Sequence, residues 1–108
     1  MARRCGLAAL LLLAAPWCAA QAPSAADLAA GKTLFTQQAA PACAVCHTLK
    51  AAGSAGEIGP VLDELKPSAE RVANAVRNGV GLMPAYKDKL TDAQIALLAR
   101  YVAAVSGR

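Results

Sequence analysis

Histidine occurs once in this 108-residue sequence, at His47, and tryptophan once, at Trp17. Aromatic residues make up 4% of the chain and charged residues 17%. Four cysteines are present, but Cys5 and Cys18 lie in a stretch that reads as a removable leader, leaving Cys43 and Cys46. Two cysteines three apart close too small a loop to staple a domain. Nor do they complete a structural zinc site, which takes four protein ligands, or an iron–sulfur cluster, which typically takes four cysteines. No strand alternation persists for more than a few residues, which argues against a thioredoxin-like redox pair beside a strand. The length allows one small domain and leaves no room for a separate cofactor-binding fold.

Residues 1–20 have the pattern of a secretory signal peptide. Arg3 and Arg4 give a basic start, and Gly6 to Ala15 is an uncharged run containing Leu10 to Leu13. Pro16 breaks it before the small residues Cys18, Ala19 and Ala20. Cleavage is expected near Ala20, leaving residues 21–108 as one domain. The run is shorter than the roughly 18–20 residues a membrane span needs; an uncleaved anchor is the alternative. Trp17 stands where a lipoprotein signal has a small residue, and a pair of arginines is weak support for the twin-arginine route.

Removing Arg3 and Arg4 from eleven basic residues leaves nine against seven acidic, a net charge of +2 for residues 21–108. That gives no basis for nucleic-acid binding, which calls for a basic stripe. Phe35, Tyr86 and Tyr101 are the only aromatics left to fill an interior. A chain this short with so thin a core needs another source of stability.

Three segments carry helix punctuation. The first opens at Ser24, with Asp27 three residues on, and runs through Leu28, Leu34 and Phe35 to about Gln38. Gly31 inside it suggests close approach of another helix. The second is capped by Ser68, presents Ala69, Val72, Ala73 and Val76 on one stripe, and ends at Asn78 and Gly79. In the third, Thr91 and Gln94 form a capping box, and Ile95, Leu98, Val102 and Val105 recur at helical spacing to Ser106 and Gly107. Two glycine-containing loops separate them, one with Gly53, Gly56, Gly59 and Pro60, the other with Gly79, Gly81, Met83 and Pro84; long loops of this kind are more often functional than idle.

Cys43, Ala44, Val45, Cys46 and His47 form a C-x-x-C-H run, the attachment pattern of c-type haem. On a helical turn, positions i, i+3 and i+4 share a face, so both thiols and the imidazole can meet one flat macrocycle. The thiols would then form thioethers with the vinyl groups while a ring nitrogen of His47 binds iron. The competing reading is a chance occurrence in a disulfide-bonded loop. The opposite side of the iron has few candidates. His47 is alone, so two histidines from one chain are excluded, and Met83 is the only methionine after the leader. Pro84 biases Met83 towards extended backbone in a glycine-containing loop, where an ordinary core methionine is less expected.

From about Asp27 to Val105 the chain resembles the small bacterial mono-haem class I cytochromes c of the c5, c6 and c551 kinds. The resemblance rests on Gly31 and Phe35, Cys43 to His47, Ile58-Gly59-Pro60, Gly81-Leu82-Met83-Pro84, and Leu98 with Tyr101. It implies an all-α fold, three main helices plus a short haem-motif helix, wrapped around one covalently bound haem c. It also implies that the first and last helices cross at right angles with Gly31 near Tyr101, and that the Pro60 carbonyl accepts the second ring proton of His47. Cofactor contacts are therefore expected from Cys43, Cys46, His47, Pro60 and Met83, with His47 and Met83 as iron ligands. Burying roughly 400 Å² of apolar surface against the macrocycle, at about 25 cal/mol per Å², yields on the order of 10 kcal/mol. That is comparable to a domain's net stability, about 5–15 kcal/mol, so the haem-free chain is expected to be largely unfolded.

Histidine and thioether together leave no open iron position for substrate, and soft sulfur favours the ferrous state. The expected function is a periplasmic single-electron carrier, not an enzyme: a monomer with transient redox partners, no nucleic acid, and no stable membrane insertion after cleavage. Two alternatives remain. One is a dedicated cytochrome partner of an exported dehydrogenase such as sulfite dehydrogenase, suggested by the resemblance of Leu62 to Pro67 and Ala69 to Arg71 to such acceptors. The other is a haem-based small-ligand sensor, if Met83 does not ligate. Lys50, Lys87 and Lys89 are candidates for a docking rim, and Ala44 and Val45 for apolar surface near the haem edge; ordinary solvated residues are the competing reading.

Overall fold

The structure, a computed structural model, describes residues 22–108; the expected leader lies outside the described residues. Ser24 opens helix α1, Ala25–Thr33, with a full capping box. Its hydroxyl accepts the Asp27 N–H at 3.1 Å, and the Asp27 carboxylate accepts the Ser24 N–H at 3.3 Å. The helical path continues to Gln38 as the sequence suggests, but Leu34–Gln38 widen into a π-turn closed by the Ala39 N–H on the Leu34 carbonyl. Leu34 and Phe35, adjacent in the chain, are both buried there.

Helix α2 is the single turn Cys43–Cys46, and His47 follows it in extended conformation. Two strands of two residues each, β1 (Thr48–Leu49) and β2 (Ser54–Ala55), then pair antiparallel, Thr48 opposite Ala55 and Leu49 opposite Ser54. Strands this short show no alternation, so the sequence gives no sign of them. A further turn, α3 (Leu62–Leu65), stands between Pro60 and Pro67 and ends where Lys66 turns left-handed at φ 45°.

Helices α4 (Ala69–Asn78) and α5 (Asp92–Val105) start at the expected caps: the Ser68 hydroxyl accepts the Arg71 N–H, and Thr91 and Gln94 bond reciprocally. Helix α5 packs on both α1 and α4 and buries Ile95, Leu98, Ala99, Tyr101 and Val102. A Cβ at residue 31 would overlap the Tyr101 Cβ; glycine there lets α1 and α5 touch, as the sequence suggests. Phe35 packs tilted on Tyr101, with ring centroids 6.3 Å apart. Among the described residues no helix is long and apolar enough to cross a membrane.

Candidate functional site

A cavity of about 400 Å³ opens between the Cys43–Pro60 segment and the Met83 loop, floored by Phe35, Val76, Leu98 and Val102. Cys43, Cys46, His47, Pro60 and Met83 all line it. The volume falls in the range of organic-ligand sites, and among the described residues no ionisable side chain besides Arg71, His47, Cys43, Cys46 and Tyr86 reaches its lining. Among the described residues no group of three or more His, Cys, Asp or Glu side chains is placed to hold a metal ion.

His47 is fixed by its surroundings. Its Nδ1 lies 2.8 Å from the Pro60 carbonyl, so Nδ1–H donates and Nε2 is the nitrogen left free. A Cβ at residue 59 would stand 2.5 Å from the His47 Cε1; only glycine allows the chain to pass so close beneath the ring. The backbone closes the turn with the His47 N–H on the Cys43 carbonyl at 3.0 Å and the Gly59 N–H on the Cys46 carbonyl at 2.7 Å. Cys43 and Cys46 form no disulfide, and burial, opposed by a backbone hydrogen bond, pushes the Cys43 thiol up to about 11.

Across the cavity, Val80 and Met83 exchange backbone hydrogen bonds at 3.1 and 2.9 Å, so Met83 leaves a tight two-residue loop half-buried. Ile58, Val80 and Leu82 are 71%, 65% and 95% exposed while lining the cavity. Large apolar side chains at an open mouth fit a flat apolar group that covers part of them.

Two features escaped the sequence reading. Gly79, read there as a helix stop, has φ 72° and ψ 165°, and a Cβ on it would stand 2.7 Å from the Met83 carbonyl oxygen. Tyr86, read only as a scarce aromatic, donates its hydroxyl to the Pro41 carbonyl at 2.6 Å. All three candidate rim lysines, Lys50, Lys87 and Lys89, are exposed; the Lys89 ammonium also donates to the Ala40 carbonyl at 2.9 Å.

Residues 26–102 match the family model described as cytochrome c oxidase, cbb3-type, subunit III. Cytochrome c6 of Picosynechococcus sp. is 38% identical, covering 88% of this chain and 87% of the relative. Cytochrome c6 of Bryopsis maxima is 35% identical over 70% of this chain and 89% of its own. The crystal structure of the c-type cytochrome SorU from Sinorhizobium meliloti superposes with a TM-score of 0.74 at 52% identity, covering 77% of this chain and 94% of that one. The chain belongs to the small mono-haem class I cytochromes c. It is accordingly an electron-transfer haem protein with covalently attached haem c and its iron. Its relatives are cytochromes c, electron carriers rather than enzymes, that act with transient partners. The apolar cavity beside the C-x-x-C-H turn of this cytochrome fits such a group.

Proposed function

We propose that this cytochrome is an exported single-electron carrier whose iron is held by His47 on one side and Met83 on the other, with thioethers to Cys43 and Cys46. The observation that carries the reading is the pairing of walls: an imidazole with one nitrogen occupied by Pro60 faces the same cavity as the only methionine of residues 22–108. When bound, the haem supplies a one-electron couple. The chain's own residues do the rest. Pro60 fixes the ring and, as an acceptor of its proton, raises the basicity of the other nitrogen. Phe35, Leu98 and Val102 exclude water from beneath. Arg71, the one permanently charged side chain among the described residues on the lining, would offer its guanidinium to the carboxylates that haem carries. With His47 and Met83 both supplied by the protein as donors, the iron would keep the same ligands in either oxidation state and little would rearrange when an electron moves.

The leader supports a periplasmic site of action. A dedicated dehydrogenase partner, sulfite dehydrogenase among them, is the second reading, favoured by the residue 62–71 segment; stopped-flow reduction by candidate dehydrogenases separates it from a general shuttle.

The test is spectroscopic. Secreted protein is expected to carry the mass of one haem, and its oxidised form the weak near-red band of iron bound to thioether sulfur. The reduced protein is expected not to respond to carbon monoxide. A missing near-red band together with carbon monoxide binding would favour the sensor.

A further inference from the structure

Tyr86 lies three residues beyond Met83 and is 3% exposed. Its amide donates to the Val76 carbonyl of α4 at 2.7 Å, and its hydroxyl to the carbonyl of Pro41, two residues before Cys43, at 2.6 Å. Lys89, its ammonium 5.8 Å from the Tyr86 ring centroid, adds the bond to Ala40 at 2.9 Å. Among the described residues these are the only side-chain hydrogen bonds that join residues 80–90 to residues 39–47. They span the cavity from the methionine wall to the cysteine wall. Among the described residues the only hydrogen bonds made by the Val80–Met83 loop are its internal backbone pair, and its side of the cavity is held besides by Met83 packing on the core.

We propose that Tyr86 is the positioning residue for Met83: its hydroxyl bond to Pro41 sets the separation of the two walls and so governs how readily the thioether gives way to a competing ligand. The proposal rests on the His47 and Met83 reading above. Tyr86→Phe keeps the ring and its packing but leaves a carbonyl without its donor, a loss that typically changes an equilibrium about fivefold to tenfold. The chain supplies its own control. Tyr101 is equally buried at 3%, and its hydroxyl has no hydrogen-bond partner among the described residues. Tyr101→Phe therefore removes the same atom and no protein hydrogen bond.

The experiment titrates oxidised holoprotein with imidazole, reading displacement of Met83 by loss of the near-red band and the fold by far-ultraviolet circular dichroism. Tyr86→Phe is expected to bind imidazole about fivefold to tenfold more tightly with unchanged dichroism. Lys89→Ala, at an exposed tie, is expected to shift binding about twofold in the same direction, and Tyr101→Phe to leave it unchanged. Wild-type affinity in Tyr86→Phe, or an equal shift in Tyr101→Phe, overturns the positioning role while leaving the ligand assignment intact. A wild-type protein with no near-red band overturns the ligand assignment and the proposal with it.

Discussion

On the His47 wall the fastenings are close in sequence. The ring bonds to Pro60, the Ser54 hydroxyl donates to the His47 carbonyl, the Thr48 hydroxyl to the Gly56 carbonyl, and the backbone of residues 43–59 closes on itself; the longest of these side-chain links spans 13 residues. On the Met83 wall the side-chain fastenings are distant. Tyr86 and Lys89 reach partners 45 and 49 residues away, and the loop holds its place only once α4 and the Pro41 turn are in position. Local links form at little loop-closure cost, while long links depend on the finished core. Under the proposed ligation the two walls therefore differ in tenacity, with Met83 expected to leave first and His47 to remain.

Removing the haem breaks both walls at once and is the largest perturbation. Cys43→Ala combined with Cys46→Ala is expected to abolish most of the helical dichroism at 222 nm, because the apolar lining then has nothing to pack against; a helical apoprotein would contradict the role given to the cofactor. Next are the glycines that shape each wall. Gly79→Ala places a side chain in a backbone region that essentially only glycine occupies and against the Met83 carbonyl, and is expected to cost about 3 kcal/mol in denaturant unfolding of the holoprotein. Gly59→Ala meets the His47 ring instead, at an expected cost of about 2 kcal/mol. Only the Gly79 variant is expected to weaken the near-red band under native conditions, and equal weakening in both would erase the contrast between the walls. Met83→Ala is expected to cost only about 1–2 kcal/mol, since the side chain is half-buried. Yet it should remove the near-red band altogether and let the reduced protein bind carbon monoxide.

What the sequence made legible follows the same division. Cys43, Cys46 and His47 fall within five consecutive residues, so their spacing alone announces their chemistry, and Met83 stood out by scarcity and by Pro84 beside it. The helix caps at Ser24, Ser68 and Thr91 were readable because a cap is a pattern within four residues. Pro60 came only through family resemblance, for a carbonyl acceptor leaves no mark in side-chain identity. Tyr86 was illegible for the same reason: its partner is the backbone of a residue 45 positions away. The π-turn left a single trace, the adjacent apolar pair Leu34 and Phe35, which a regular helical period does not distinguish from an ordinary edge of the core. Strands of two residues are below any periodicity.

The smallest expected effect tests how the His47 wall is tied to the rest of the molecule. Asp63 in α3 accepts the Lys50 N–H, beside the two-stranded ladder, and the Gly107 N–H, just beyond α5, each at 2.8 Å. These bonds, Gly107 first and Lys50 second, hold its carboxyl below the ordinary value of 3.8. A carboxyl depressed in the folded state contributes stability that is present in full above its unfolded value and is lost as pH falls through the folded one. Asn at this position offers one carbonyl oxygen where two carboxylate oxygens accept, so one N–H loses its acceptor. Because Asp63 is half-exposed, solvent limits the cost of Asp63→Asn to about 1 kcal/mol, a drop of roughly 4–8 °C in Tm for a domain this size. That gap is expected near neutral pH and should close as pH drops below the carboxylate range, where protonated Asp63 and Asn become near equivalents. A gap that stays constant into strong acid would mean that the two backbone bonds do not depend on the charge.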